Sequence, residues 1–70
     1  MAVTSTYTVT GMTCEHCVKA VTGELSELDG VRDVRVDLGT GAVTVTSDTP
    51  LAVDAVRAAV DEAGYELADA

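Results

Sequence analysis

Both cysteines of this chain and its single histidine fall in one short run, Gly11-Met12-Thr13-Cys14-Glu15-His16-Cys17. Thiols and imidazoles hold soft and borderline metal ions, and a Cys-x-x-Cys pair also serves thiol–disulfide exchange. The run lies where a threonine-rich alternating stretch gives way to a helical pattern. Cys14 is therefore predicted in a turn and Cys17 in the first turn of a helix, with both sulfurs aimed at one spot. Free amides at a helix start and the positive end of its dipole favour thiolate over thiol. Gly11 lets the backbone turn tightly. Thr13 is the predicted N-cap, and Glu15 places negative charge in the first turn, where the dipole favours it.

The number of donors limits the chemistry. A structural zinc site wants four protein ligands. Here two Cys and one His stand together, so a tetrahedron would need Glu15 or another carboxylate. Two thiolates alone suit a soft monovalent ion, and Cu(I) is the common one. Cys14 and Cys17 are thus the predicted Cu(I) ligands, with Ag(I) binding similarly. The main rival is a disulfide oxidoreductase. Against it, the spacer is Glu-His, no Trp precedes the pair, and the one proline, Pro50, stands at a predicted helix start. Attachment of haem through Cys-x-x-Cys-His fails because Val18 stands where His is needed. His16 is predicted to be exposed, either solvated or tuning thiolate acidity. Its sharper role would be a third ligand, or a ligand when two molecules share copper. Met12 could offer a thioether, but a flexible core plug anchoring the loop is the expected reading.

The elements that position this turn follow from periodicity. Val3, Ser5, Tyr7 and Val9 alternate with Thr4, Thr6, Thr8 and Thr10, a half-buried strand. Cys17 or Val18, then Val21, Leu25 and Leu28, recur at helical spacing, and Gly30 is the predicted C′ residue. Val34, Val36 and Leu38 are predicted inward on a second strand. Gly39-Thr40-Gly41 makes a hairpin loop, and Val43 and Val45 mark the third strand. Thr49-Pro50 is predicted to start a second helix with Val53, Val56, Val60 and Ala63 buried, Gly64 closing it. Tyr65-Glu66-Leu67-Ala68 is the last short strand. The order is two βαβ units joined by a hairpin, and only the first carries cysteines; the second has Ser47-Asp48-Thr49-Pro50 in their place. The predicted fold is α+β, a ferredoxin-like βαββαβ sandwich with a four-stranded antiparallel sheet and both helices on one face, as one domain over residues 1–70.

Charge narrows the partners. Seventy residues carry twelve acidic and four basic side chains, a formal net charge of −8. That argues against nucleic acid and against an anionic membrane surface. It suits solubility, or a partner with a basic docking face. No segment reads as an export signal or a membrane span, so no membrane insertion and a cytosolic location are expected. There the cysteines would stay reduced.

The run Gly11-Met12-Thr13-Cys14-x-His16-Cys17, the Gly30-Val31 segment and Ala63-Gly64-Tyr65-Glu66 together resemble the heavy-metal-associated domain family, and within it the free-standing bacterial copper chaperones. The resemblance spans nearly the whole chain. It implies the βαββαβ fold, Cu(I) held by Cys14 and Cys17, and transfer to a copper-transporting P-type ATPase, without enzymatic turnover. It supports Met12 as a plug, and it places Tyr65 beside the metal turn, where a supporting role toward a thiolate follows. A related branch handles mercury and is usually exported. Low coordination number leaves room for a partner's thiolate, and the same openness permits a copper-bridged homodimer at high metal load.

Overall fold

A computed structural model describes residues 2–68. Six elements follow one another: β1 (Val3–Thr10), α1 (Glu15–Ser26), β2 (Val31–Asp37), β3 (Ala42–Ser47), α2 (Val53–Glu62) and β4 (Glu66–Leu67). The strands form one antiparallel sheet in the order β2-β3-β1-β4. The helices pack on each other, α1 over β2 and α2 against β4, so they share one face. This is the predicted ferredoxin-like arrangement.

Alternation along β1 places Tyr7 and Val9 in the core and leaves its four threonines exposed. Thr6 stands opposite Thr44, their hydroxyl oxygens 3.5 Å apart. Val21, Leu25, Val43, Val45, Val56 and Val60 are fully enclosed between the layers. Each such side chain contributes roughly 1.5–3 kcal/mol by leaving water. With no Trp or Phe in the chain, branched aliphatics carry this core.

Several boundaries differ from the sequence-based expectation. The N-cap of α1 is Cys14, extended at φ −156° and ψ 173°, and not Thr13. The helix ends at Ser26 with Glu27 as C-cap, so Gly30 is not its C′ residue but turns the chain into β2. Helix α2 begins at Val53, not at Thr49-Pro50. The Ser47 hydroxyl, buried at the end of β3, donates to the Thr49 carbonyl at 2.7 Å, and the chain bends at Asp48 and Thr49 before the helix begins. In consequence Val53 is exposed, and Ala59 takes the core position beside Val56 and Val60. Gly64 does close α2: its amide bonds the Asp61 carbonyl and the Tyr65 amide bonds that of Val60, the paired bonds of a Schellman end. Leu38, predicted inward, lies past the end of β2 and is 37% exposed. Asp37 stops the strand, because its carbonyl accepts the Gly41 amide at 2.8 Å and its carboxylate accepts the Gly39 amide at 3.0 Å.

Three of the four basic residues make ion pairs on the surface: Arg32–Asp48 at 2.8 Å, Arg35–Asp33 at 3.1 Å and Arg57–Asp54 at 3.3 Å. Exposed pairs of this kind contribute about 0–1 kcal/mol each.

Candidate metal centre

The cysteine turn hangs between the end of β1 and the start of α1. Gly11 adopts φ +91°, and a Cβ there would lie 3.4 Å from the Tyr65 ring. Met12 is half-buried and packs on the core, which pins the loop from below. The chain then extends through Cys14 and enters the helix, with the Cys14 carbonyl accepting the amides of Cys17 at 3.1 Å and Val18 at 3.3 Å. These constraints bring the two sulfurs 3.5 Å apart. Both are free thiols, Cys14 exposed and Cys17 buried. Burial of Cys17 follows from the helical stripe it shares with Val21 and Leu25.

The surroundings of Cys17 favour its anion. The thiol is drawn down from an ordinary 9.0 to about 6, first by the Thr13 backbone amide and next by the Tyr65 hydroxyl. Burial opposes this, and hydrogen bonding to Cys14 adds to it. The Thr13 hydroxyl also lies 3.9 Å from the Cys17 sulfur. Tyr65 shows the reciprocal effect: its hydroxyl is held above the usual phenol range, chiefly by its bond to Cys17. Tyr65 therefore sits against the turn, as the resemblance implies. His16 is exposed, as expected of it, and the groups that draw the Cys17 thiol down are Thr13, Tyr65 and Cys14. Among the described residues, no three His, Cys, Asp or Glu side chains are grouped to hold one ion; His16 is thus not gathered with the cysteines.

The part played by Thr13 is legible only in outline from the sequence. A thiolate at a helix start draws on nearby amides, but which amide depends on the cap falling at Cys14.

The titration of Cys17 has a checkable consequence. Its folded-state pKa lies below the unfolded one, so it stabilises the fold fully above pH 9 and progressively less as pH falls through about 6. The melting temperature of the reduced, metal-free protein should rise between pH 6 and 9, and Cys17→Ser should flatten that rise. Thiolate absorbance should titrate near pH 6 in the parent and on the order of one unit higher in Tyr65→Phe, which lacks the hydroxyl donor. Identical titrations in the two proteins would remove Tyr65 from this role.

The profile of the family described as "Heavy-metal-associated domain" matches residues 6–66. The chain belongs to the heavy-metal-associated domain family. It is 44% identical over 64 residues to "Copper chaperone CopZ" of Bacillus subtilis (strain 168), covering 90% of this chain and 93% of that one. It is 34% identical over 64 residues to "Copper-transporting ATPase 2" of Homo sapiens, covering 90% of this chain but 4% of that protein. The solved structure of "CopZ metallochaperone" superposes with a TM-score of 0.87 at 34% identity, over 94% of this chain and all of that one. Family members thus occur both as short chains and as small portions of long ones.

Proposed function

We propose that this protein is a cytosolic copper chaperone. It takes up Cu(I) on the thiolates of Cys14 and Cys17 and delivers it to a copper-transporting P-type ATPase, without catalysing a reaction. The observation that carries this reading is the pair of reduced sulfurs 3.5 Å apart, one of them poised as thiolate, with no third strong donor grouped beside them among the described residues. Metal–thiolate bonds of about 2.3 Å put two sulfurs roughly 3.8 Å apart around a tetrahedral ion and 4.6 Å apart around a linear one. The exposed Cys14 can swing outward by that difference while Cys17 stays seated. The relative named as a copper chaperone supports the cargo, and the match to part of a copper-transporting ATPase supports the recipient.

Transfer proceeds by ligand exchange. A thiolate of the recipient bonds the ion while Cys14 and Cys17 still hold it. The exposed Cys14 leaves first and takes a proton from solvent; a second recipient thiolate then displaces Cys17. The Thr13 amide and Tyr65 hydroxyl hold the departing Cys17 as an anion, so release does not wait on a proton. Sulfur number stays low throughout, and copper does not change oxidation state.

X-ray absorption of the Cu(I) form at one ion per chain tests the donor set. Two sulfur scatterers and no imidazole signature are expected. An imidazole contribution that vanishes in His16→Ala would make His16 a ligand and overturn the two-thiolate site.

A further inference from the structure

Strand β2 is one edge of the sheet, and among the described residues only β3 pairs with it. Unpaired strand edges present backbone donors and acceptors to any strand that fits, and natural edges are usually blunted by charge or bulges. In β2 the bulge is confined to the start, between Val31 and Asp33. The remainder, Asp33-Val34-Arg35-Val36-Asp37-Leu38, is regular up to Asp37 and alternates charge with aliphatic side chains. Beside its end lies an open groove of about 400 Å³ between α1 and β2, lined by Glu15, Val18, Lys19, Val36 and Leu38. Leu38 is exposed there, and Val36 only half-buried.

We propose that β2 pairs antiparallel with β2 of a second copy of this chain, on a two-fold axis at Val36, joining the sheets into one of eight strands. The charge pattern, the bulge and the exposed Leu38 together select that register. Facing residues in an antiparallel pair must present matching edges, so self-pairing can centre on Val34, Arg35 or Val36. Centred on Arg35, it sets Arg35 against Arg35 and Asp33 against Asp37, and like charges directly opposite are destabilising. Centred on Val34, it sets Asp33 against Arg35 twice, but it runs into the bulge and leaves Leu38 uncovered. Centred on Val36, it sets Arg35 against Asp37 twice and Val36 against its own copy. It also lays the second copy's Val34 beside Leu38, at the groove. Within one chain Arg35 faces Thr44 and Asp37 faces Ala42, so no cross-strand partner on β3 competes for either charge. The exposed contact of Arg35 with Asp33 on its own strand is weak enough to yield. The arrangement is independent of the metal reading: antiparallel pairing sends the two cysteine turns to opposite ends of the joint sheet, so no shared copper is needed.

The test uses the full chain, reduced and with chelator present, at about 0.15 M salt, where screening over about 8 Å limits repulsion between acidic copies. Sedimentation should show a dimer with a dissociation constant on the order of 100 μM, as befits a small interface. Amide shifts on dilution should be confined to residues 33–39 and the facing side of α1. Arg35→Asp should weaken association by about tenfold or more, and Arg35→Asp with Asp37→Arg should restore it to within about threefold. Because Asp37 also holds the hairpin turn, Leu38→Lys serves as a second variant; this exposed position should leave the monomer's circular dichroism unchanged and still abolish the dimer. A monomer up to about 2 mM, a dimer that forms only with Cu(I), or shifts mapping to another face would each overturn the proposal.

Discussion

Replacing Cys14 and Cys17 together by serine should remove tight Cu(I) binding and leave the fold in place. A structural zinc site with four ligands binds with roughly 10–16 kcal/mol, about 3 kcal/mol per ligand, so loss of two soft donors corresponds to about 10⁴-fold or more in affinity. A serine hydroxyl is a harder, neutral donor and does not substitute for thiolate toward a soft ion. The fold should tolerate the exchange because Cys14 is exposed and Cys17, though buried, sits at the rim of the core among polar groups. None of the six fully enclosed aliphatics is disturbed. The melting temperature of the double variant, measured at low pH where the thiolate contribution is absent, should stay within about 5 °C of the parent. Single variants should differ: Cys14→Ser removes the mobile donor, whereas Cys17→Ser leaves the Thr13 amide and the Tyr65 hydroxyl facing a neutral, weaker acceptor in place of the thiolate. Retained affinity in the double variant would contradict the two-thiolate reading.

Gly41→Ala should be the most damaging of the small substitutions outside the core. Gly41 has φ +77°, and a Cβ there would stand 2.7 Å from the Val9 carbonyl oxygen. Left-handed backbone costs an L-residue about 1–2 kcal/mol, and forced overpacking adds about 1–3 kcal/mol. The carbonyl cannot swing away cheaply, because the same Val9 donates its amide to the Gly41 carbonyl at 2.9 Å. A loss of about 3 kcal/mol is a large share of what a chain this small can hold, and corresponds to more than about 10 °C in melting temperature. Val9 is two residues from Gly11, so the damage should also reach the cysteine turn and loosen metal affinity. Gly23→Ala makes the contrast. Gly23 lies inside α1 with no positive φ, and a Cβ there would meet nothing within 4 Å, so alanine should stabilise by about 0.5–1 kcal/mol. A Gly41→Ala variant as stable as the parent would mean that the hairpin and β1 are not locked together as described.

The parts of the molecule legible in the sequence are those governed by periodicity. The strict alternation of β1 and the stripe Cys17, Val21, Leu25 depend only on which face meets the core, and both faces lie as expected. Helix starts are less legible, because capping residues mark a start only when their side chains are free to cap. Neither helix has a side-chain cap bond. Around Thr49, the competing bond comes from the Ser47 hydroxyl two residues before it, and the burial of Ser47 at the end of β3 is what local sequence does not carry. Leu38 misleads for a similar reason: alternation continues through it, but Asp37 has already committed its carbonyl and carboxylate to the turn.

The candidate site divides along the same line. Cys14 and Cys17 are conspicuous by type and spacing, and the helix start explains why their sulfurs meet. The contact between Tyr65 and Cys17 joins residues at opposite ends of the chain. No spacing rule reaches that far; only the family resemblance suggests it. His16, the most tempting extra donor by sequence, is carried outward by the first turn of α1 and stays exposed, while the groups acting on Cys17 are a backbone amide and a phenol.

The most direct test of the account is a competition titration of the reduced protein with Cu(I) against a strong cuprous chelator. One ion per chain should transfer from the chelator to the protein, with affinity rising as pH increases because thiolates must form, and with the Cys14→Ser/Cys17→Ser variant failing to compete. A parent protein that takes no Cu(I) from the chelator at any pH between about 6 and 9 would contradict it.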